Sequence, residues 1–257
     1  MITMGVDVGS TSSKAVLLED GQRVLSKAVV PLGTGTAGPD RVFTQALDQA
    51  GVTRQAVAHL TVTGYGRLTF PGADSQMSEV SCHGRGMAFL LPGVRTVIDI
   101  GGQDAKALRI SERGGLNNFV MNDKCAAGTG RFLDVMARVL GVPIGELGGL
   151  SAQSTQPVSI SNVCTVFAES EVISHLAAGA PLADIAAGIH ISVARRVAAL
   201  ALRIGVELQV AMSGGVALNQ GVVRAMEAEL KCSVLVHPDA QLAGAFGAAL
   251  LAFDKAK

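Results

Sequence analysis

The chain has 257 residues, enough for one large or two small domains. Lys and Arg number 21, as do Asp and Glu, so the formal net charge is zero and nothing suggests the basic excess of a nucleic-acid binder. Hydrophobic residues make up 49% and the mean hydropathy is +0.40, so a sizeable core is available and the composition argues against disorder.

The first element is Val6-Asp7-Val8-Gly9-Ser10-Thr11-Ser12-Ser13-Lys14-Ala15: a β-branched strand ending in Asp and Gly, then a small polar turn. A second strand follows over 15–18 and turns at Asp20-Gly21, so the whole predicts a hairpin. Asp7 interrupts the apolar start, and no secretion signal is expected. A short helix over 40–50 and a strand over Val57–Val62 come next. Then the hairpin returns as Ile98-Asp99-Ile100-Gly101-Gly102-Gln103-Asp104-Ala105-Lys106-Ala107, with a strand over 107–110 and a Gly114-Gly115 turn. Asp7 aligns with Asp99, Gly9 with Gly101 and Lys14 with Lys106, each pair 92 positions apart (7 to 99, 9 to 101, 14 to 106).

That repeat predicts two related α/β halves facing each other. Residues 1–90 form the first, with a C-terminal helix of about 242–257 packing back on it, and 91–257 the second. In the second half, Phe132, Val135, Met136, Val139 and Leu140 share one helical face, with Gly141 at the stop position. A longer helix is expected over 183–202, a strand before Ser213-Gly214-Gly215, a helix over 222–230, a strand over 233–236 and an Ala-rich helix from Leu242. No apolar run approaches the roughly 18–20 residues of a membrane span: the longest candidate, 242–253, is too short, and Arg195, Arg196 and Arg203 interrupt the Ala-rich stretch after Ser192. The chain reads as cytoplasmic, with no membrane partner.

Turns rich in Gly, Ser and Thr present N–H and hydroxyl donors that can cradle phosphate oxygens. A carboxylate at the end of each first strand can hold Mg²⁺, usually through water. Two such turns across a cleft would clamp a nucleoside triphosphate from both sides. The pattern resembles the actin, sugar-kinase and heat-shock-chaperone ATPase superfamily. The resemblance implies a duplicated actin-like (ribonuclease H-like) α/β fold around a nucleotide cleft, with the 210–219 segment against the nucleoside. Neither a Walker loop nor a Rossmann GxGxxG is present.

The four cysteines are far apart and make no disulfide framework in a cytosolic chain. Cys125 lies just ahead of the amphipathic helix and Cys164 at a predicted helix start, where a thiolate gains from the dipole. A [4Fe–4S] cluster would gain equally, but one chain supplies only two such cysteines, so a two-fold dimer would be needed. There is no CxxC, and spacing alone favours buried structural cysteines over ligands.

The segments VIDIGGQDAK, MNDKCAAGTGRFLD, VCTVFAESEVI and SGGVALNQG closely resemble, in the same order, the activators of 2-hydroxyacyl-CoA dehydratases, a family that includes the ATPase subunits of benzoyl-CoA reductase. The resemblance covers nearly the whole chain. It implies that Cys125 and Cys164 hold one [4Fe–4S] cluster per homodimer. ATP hydrolysis would then drive a low-potential electron to a dehydratase-like iron–sulfur partner, with ferredoxin or flavodoxin reloading the cluster. Gly9, Ser10, Thr11, Ser12, Ser13 and Lys14, with Asp99, Gly101, Gly102, Gln103 and Asp104, match its phosphate loops. Gly214, Gly215 and Asn219 match the nucleoside loop, Gln241 falls near the nucleotide, and Asp7 and Asp104 take the catalytic, Mg²⁺-positioning roles.

Other residues carry plainer expectations. Cys82 beside His83 and Cys232 near a helix end read as packed thiols, and Tyr65-Gly66-Arg67 as a partner-facing loop or a plain turn. Glu169 and Glu171 suit the first turns of the helix after Cys164. A small-molecule kinase of the same fold and a non-redox nucleotide switch are the competing functions.

Overall fold

The repeated strand–turn–strand pattern folds as two sheets with one topology. The computed structural model describes residues 1–161 and 163–257. β1 (Ile2–Val8) and β2 (Ser13–Glu19) pair antiparallel with Asp7 opposite Lys14. β3 (Arg23–Val30) adds antiparallel to β2, β4 (Val57–Thr63) adds parallel to β1, and short β5 (Ser75–Gln76) closes the order β3-β2-β1-β4-β5. In the second sheet β6 (Thr96–Ile100) and β7 (Ala105–Ile110) pair antiparallel with Asp99 opposite Lys106. β8 (Leu116–Asn122) lies beyond β7, while β9 (Val210–Ser213) and β10 (Val234–Val236) run parallel on the other side. That order, β8-β7-β6-β9-β10, matches the first sheet strand for strand.

Among the described residues the α-helices are α1 (Gly38–Ala50), α2 (Glu79–Leu90), α3 (Gly130–Leu140), α4 (Leu147–Ser151), α5 (Thr165–Ala177), α6 (Leu182–Ile204), α7 (Gln220–Leu230) and α8 (Ala243–Ala256). Local chemistry sets several ends: Pro39 in the first turn of α1, Ser78 capping α2, and Gly51 and Gly141 ending α1 and α3 in the left-handed region. Residues 1–95, 110–117 and 237–257 form one compact unit, and 96–109 with 118–236 the other.

In the first unit, Met4, Val6, Leu17 and Leu60 meet Val42 and Ala46 of α1, while Val16 and Leu18 meet Ala245, Phe246 and Ala249 of α8. Small residues make the second contact possible. A Cβ at Gly5 would stand 2.1 Å from the Ala245 carbonyl, and one at Gly86 of α2 2.0 Å from the Ala243 carbonyl. The glycine-rich composition is thus spent on backbone-to-backbone packing.

α6 corrects one expectation. By length and composition it is long and apolar enough to cross a membrane, despite its arginines. Ile185, Ile189, Val193, Val197 and Ala201 are buried within the unit, while Arg195 and Arg203 face outward. Arg195 and Arg203 therefore sit on the outer stripe of a core helix and do not shorten its apolar face.

Candidate functional site

After β1 the chain turns through Gly9-Ser10-Thr11-Ser12. The Gly9 N–H donates to the Ser12 carbonyl at 3.1 Å, and the Gly9 carbonyl accepts from Thr34 N–H at 2.9 Å. Lys14 Nζ donates to Asp7 Oδ2 at 3.2 Å, and the Asp7 side chain is only 5% exposed. Two glycines crowd that carboxylate: a Cβ at Gly64 would lie 2.5 Å from Oδ1, and one at Gly244 3.2 Å from Oδ2. Ser10, Thr11 and Ser12 reach the surface. Ser13 does not, because its buried hydroxyl donates to the Leu32 carbonyl at 2.8 Å. Its expected ligand-binding side chain is therefore occupied by the fold.

The second turn repeats the first. Gly101 N–H donates to the Asp104 carbonyl at 2.9 Å, and the Gly101 carbonyl accepts from Gly130 N–H at 2.9 Å, in the place Thr34 takes in the first unit. The Gly102 carbonyl accepts from Arg131 N–H at 2.8 Å. Lys106, 2% exposed, donates to Asp99 Oδ2 at 3.1 Å and pairs with Asp104 as well. Asp99 Oδ1 accepts from Ser213 Oγ at 2.8 Å, which ties the turn to the Gly214-Gly215 segment. Gly214 sits at φ +84°, where a Cβ would lie 2.3 Å from the Ile100 carbonyl. Asp99 is fully enclosed, whereas Asp104, Gly102 and Gln103 face outward. Lys106 was not expected at the site, although its alignment with Lys14 marks it in the sequence.

The cysteines occupy unlike local structures. Cys164 is the N-cap residue of α5, as expected of a helix start. Cys125 lies in a loop five residues before α3, and the first N–H groups of α3 are already bound to the Gly101 and Gly102 carbonyls. The expected help of a helix dipole thus applies at Cys164 and not at Cys125. Asn122 Nδ2 shapes the Cys125 loop instead, donating to the carbonyls of Cys125 at 2.9 Å and Ala127 at 3.2 Å. Both thiols are partly exposed.

The segment leading to Cys164 is laid along α6 by residues four apart. Asp184 Oδ1 accepts from Ser154 Oγ at 2.7 Å and from Thr155 and Gln156 N–H, each at 3.0 Å. The Ser154 hydroxyl, with these backbone groups, holds the Asp184 carboxyl below its usual range. Gly188 lets the Val158 carbonyl approach to where a Cβ would be 2.3 Å away, and Ser192 Oγ donates to the Ser161 carbonyl at 2.9 Å. Arg196 Nη1 donates to the Val163 carbonyl at 3.2 Å. Positions i, i+4, i+8 and i+12 share a helix face, so one stripe guides the chain to Cys164. Glu171 adds a bond from Ser161 N–H at 2.6 Å, a structural duty in the second turn of α5.

Asn219 caps α7: its Oδ1 accepts from Gly221 and Val222 N–H, and its Nδ2 faces His190 Nε2 at 3.2 Å. Its amide is engaged at both ends, so it braces the Gly214-Gly215 loop through the fold. Burial, and then nearby Arg224, push His190 down to about 4. His190 is therefore neutral in the fold, and its contribution to stability is complete above pH 6.5 and lost as pH falls toward 4. Melting temperatures should decline over that window, and His190→Gln should flatten the decline; an unaltered slope would assign it to other groups.

Cys82 is fully buried in α2, where burial pushes its thiol up to about 12. Cys232 is only half-buried, looser than expected, because it follows the αL residue Lys231 just outside α7. Tyr65 is exposed in a turn whose Gly66 N–H donates to the Val8 carbonyl at 2.9 Å. Gln241 lies in the short turn before α8. Among the described residues no group of three or more His, Cys, Asp or Glu could hold a metal within one chain.

Residues 4–252 match the family model described as the BadF/BadG/BcrA/BcrD ATPase family. A 2-hydroxyisocaproyl-CoA dehydratase activator of Clostridioides difficile is 55% identical over 257 residues, covering 100% of this chain and 97% of that protein. The solved activator of the 2-hydroxyisocaproyl-CoA dehydratase from Clostridium difficile, with bound ADPNP, superimposes with a TM-score of 0.96 at 55% identity, covering 100% of this chain and 96% of that one. The (R)-2-hydroxyglutaryl-CoA dehydratase activating ATPase of Acidaminococcus fermentans is 53% identical over 255 residues, covering 99% of this chain and 98% of that protein. A ROK family glucokinase from Streptomyces griseus shares the fold alone, with a TM-score of 0.60 at 18% identity, covering 99% of this chain and 100% of that one.

Proposed function

The chain belongs to the BadF/BadG/BcrA/BcrD ATPase family, and from that premise we propose that it is the ATP-driven, one-electron activator of a 2-hydroxyacyl-CoA dehydratase or a similar iron–sulfur enzyme. One observation carries the proposal. The 101–104 turn, matched to a phosphate loop, is hydrogen-bonded directly to the amino end of α3, five residues after Cys125. The named relatives support the dehydratase as partner, and the ADPNP-bound relative supports ATP and ADP as ligands.

In this reading the surface-facing Ser10, Thr11 and Ser12, with Gly9, Gly101, Gly102 and Gln103, offer donors to phosphate oxygens. Lys14 supplies a point charge. Asp7 and Asp104 would hold Mg²⁺ through its waters, while Asp99 and Lys106 keep the second turn in shape. The Gly214-Gly215 segment and Gln241 bound the nucleoside. Asp7→Ala and Asp104→Ala should each cut ATP turnover by at least about tenfold through loss of metal positioning. Lys14→Ala should weaken ATP affinity about tenfold, the effect of one charge-assisted hydrogen bond. Calorimetry and phosphate-release assays on the three variants test this, and three wild-type results would place the nucleotide elsewhere.

Cys125 and Cys164 fit a [4Fe–4S] cluster on two counts. Both thiols are accessible, and the buried Thr165 hydroxyl beside Cys164 has no hydrogen-bond partner among the described residues, as a donor awaiting a sulfur acceptor would. Two such pairs in a homodimer complete four ligands, and a cluster held there would supply the low-potential electron. Ferredoxin or flavodoxin would be the donor, in the cytoplasm.

Nucleotide that rearranges the 101–104 turn must displace the Gly130 and Arg131 bonds or carry α3 with it, and the Cys125 loop moves in consequence. ATP should therefore expose the cluster. Iron loss to a chelator, measured anaerobically without nucleotide, with ADP and with a non-hydrolysable ATP analogue, should be fastest with the analogue. Identical rates in all three would leave the cluster uncoupled from the nucleotide and end the activator reading.

A further inference from the structure

The face of α6 that guides the chain to Cys164 ends on a residue that touches the other cysteine segment too. Arg196 Nη1 donates to the carbonyl of Val163, the residue before Cys164, at 3.2 Å. Its stem lies on the Cys125 loop: a Cβ at Gly128 would stand 3.1 Å from Arg196 Cδ and 3.4 Å from Cγ. Gly128 is at φ +84°, which favours glycine and keeps that surface open to the arginine. One side chain, anchored on a core helix, thus spans both cysteine segments.

We infer that Arg196 is a positioning residue for the iron–sulfur centre, fixing the Cys125 loop against the Cys164 segment and holding positive charge beside the thiolates. This rests on the reading of Cys125 and Cys164 as cluster ligands. An Arg suits both duties, since its stem packs on apolar backbone while the always-charged guanidinium donates to a carbonyl. A cation close to the cluster favours the form that carries one more electron, so it raises the reduction potential. A residue that served only the packing of the two loops would leave that potential where it was.

The test uses the anaerobically purified holo-dimer of the wild type, Arg196→Lys and Arg196→Met, with an EPR-monitored redox titration and the rate of iron loss to a chelator. Arg196→Met should shift the redox equilibrium about tenfold toward the oxidised cluster, ~59 mV downward for one electron, and should lose iron several-fold faster. Arg196→Lys retains the charge but not the fork, so it should keep the potential near wild type while still losing iron faster. An unchanged far-UV circular dichroism spectrum in both separates these effects from unfolding. An iron-replete Arg196→Met protein with wild-type potential overturns this inference alone. Should that variant fail to fold, Arg196→Lys decides: wild-type iron retention overturns the positioning role, and faster loss at an unchanged potential supports it. A wild-type dimer with no iron overturns the cluster reading, and this inference with it.

Discussion

Purified without oxygen, the wild-type dimer should be brown and carry about four iron and four sulfide, and Cys125→Ser or Cys164→Ser should each carry essentially none. The effect would be all-or-none because, in the proposed homodimer, each chain would contribute two thiols and both copies change together, leaving two ligands of four. No other residues rescue the site: among the described residues no group of three His, Cys, Asp or Glu gathers within a chain. Cys82→Ala provides the control. That thiol is fully buried in α2 and pushed up to about 12, so it stays a protonated packing group, and its loss should leave the iron content untouched. A full cluster in the Cys125→Ser, Cys164→Ser double variant would remove the assignment.

The second large effect is expected at Lys106. Its side chain is 2% exposed and its ammonium pairs with both Asp99 and Asp104, with the Asp99 side chain 3% exposed. Removing one partner of a buried pair leaves an uncompensated charge and costs about 3–5 kcal/mol. Lys106→Met should therefore lower the melting temperature by roughly 10 °C. It should also abolish ATP turnover, because Asp104 and the Ser213 bond to Asp99 lose their common anchor. Asp99→Asn combined with Lys106→Met should recover much of the stability but not the turnover, since the buried charge is gone while the turn remains unbraced. The pair in the first unit is less enclosed, with the Lys14 side chain 13% exposed, so Lys14→Ala should cost less stability. Wild-type melting and turnover in Lys106→Met would show that this pair does not hold the second turn.

Much of the architecture was legible along the chain because its signals are local. The Asp-Gly turn after a β-branched strand, repeated 92 positions on (7 to 99), predicted two matching hairpins, and the sheets repeat that order. Helical offsets ending on Gly141 marked α3 to its last residue, since an αL glycine is a one-residue stop signal. β3 and α2 were less readable. Exposed positions interrupt the apolar pattern of β3, and Gly84 and Gly86 in α2 answer to packing and not to helix propensity.

The site divides in the same way. Residue identity and spacing picked out Asp7, Asp99 and the two turns, because a phosphate cradle requires those groups at short range, whereas Asp104 and the two cysteines took their roles from the family resemblance. Which of those groups remain available was decided only by the tertiary structure. Ser13 is taken by Leu32, Asn219 by α7 and His190, and the first N–H groups of α3 by the 101–104 turn. The stripe Asp184, Gly188, Ser192, Arg196 has ordinary helical spacing and no motif, and its purpose exists only where residues 154–161 and Val163 lie beside it. Buried hydrogen-bonding groups must find partners, and across dozens of residues only the folded chain determines which partner each one meets.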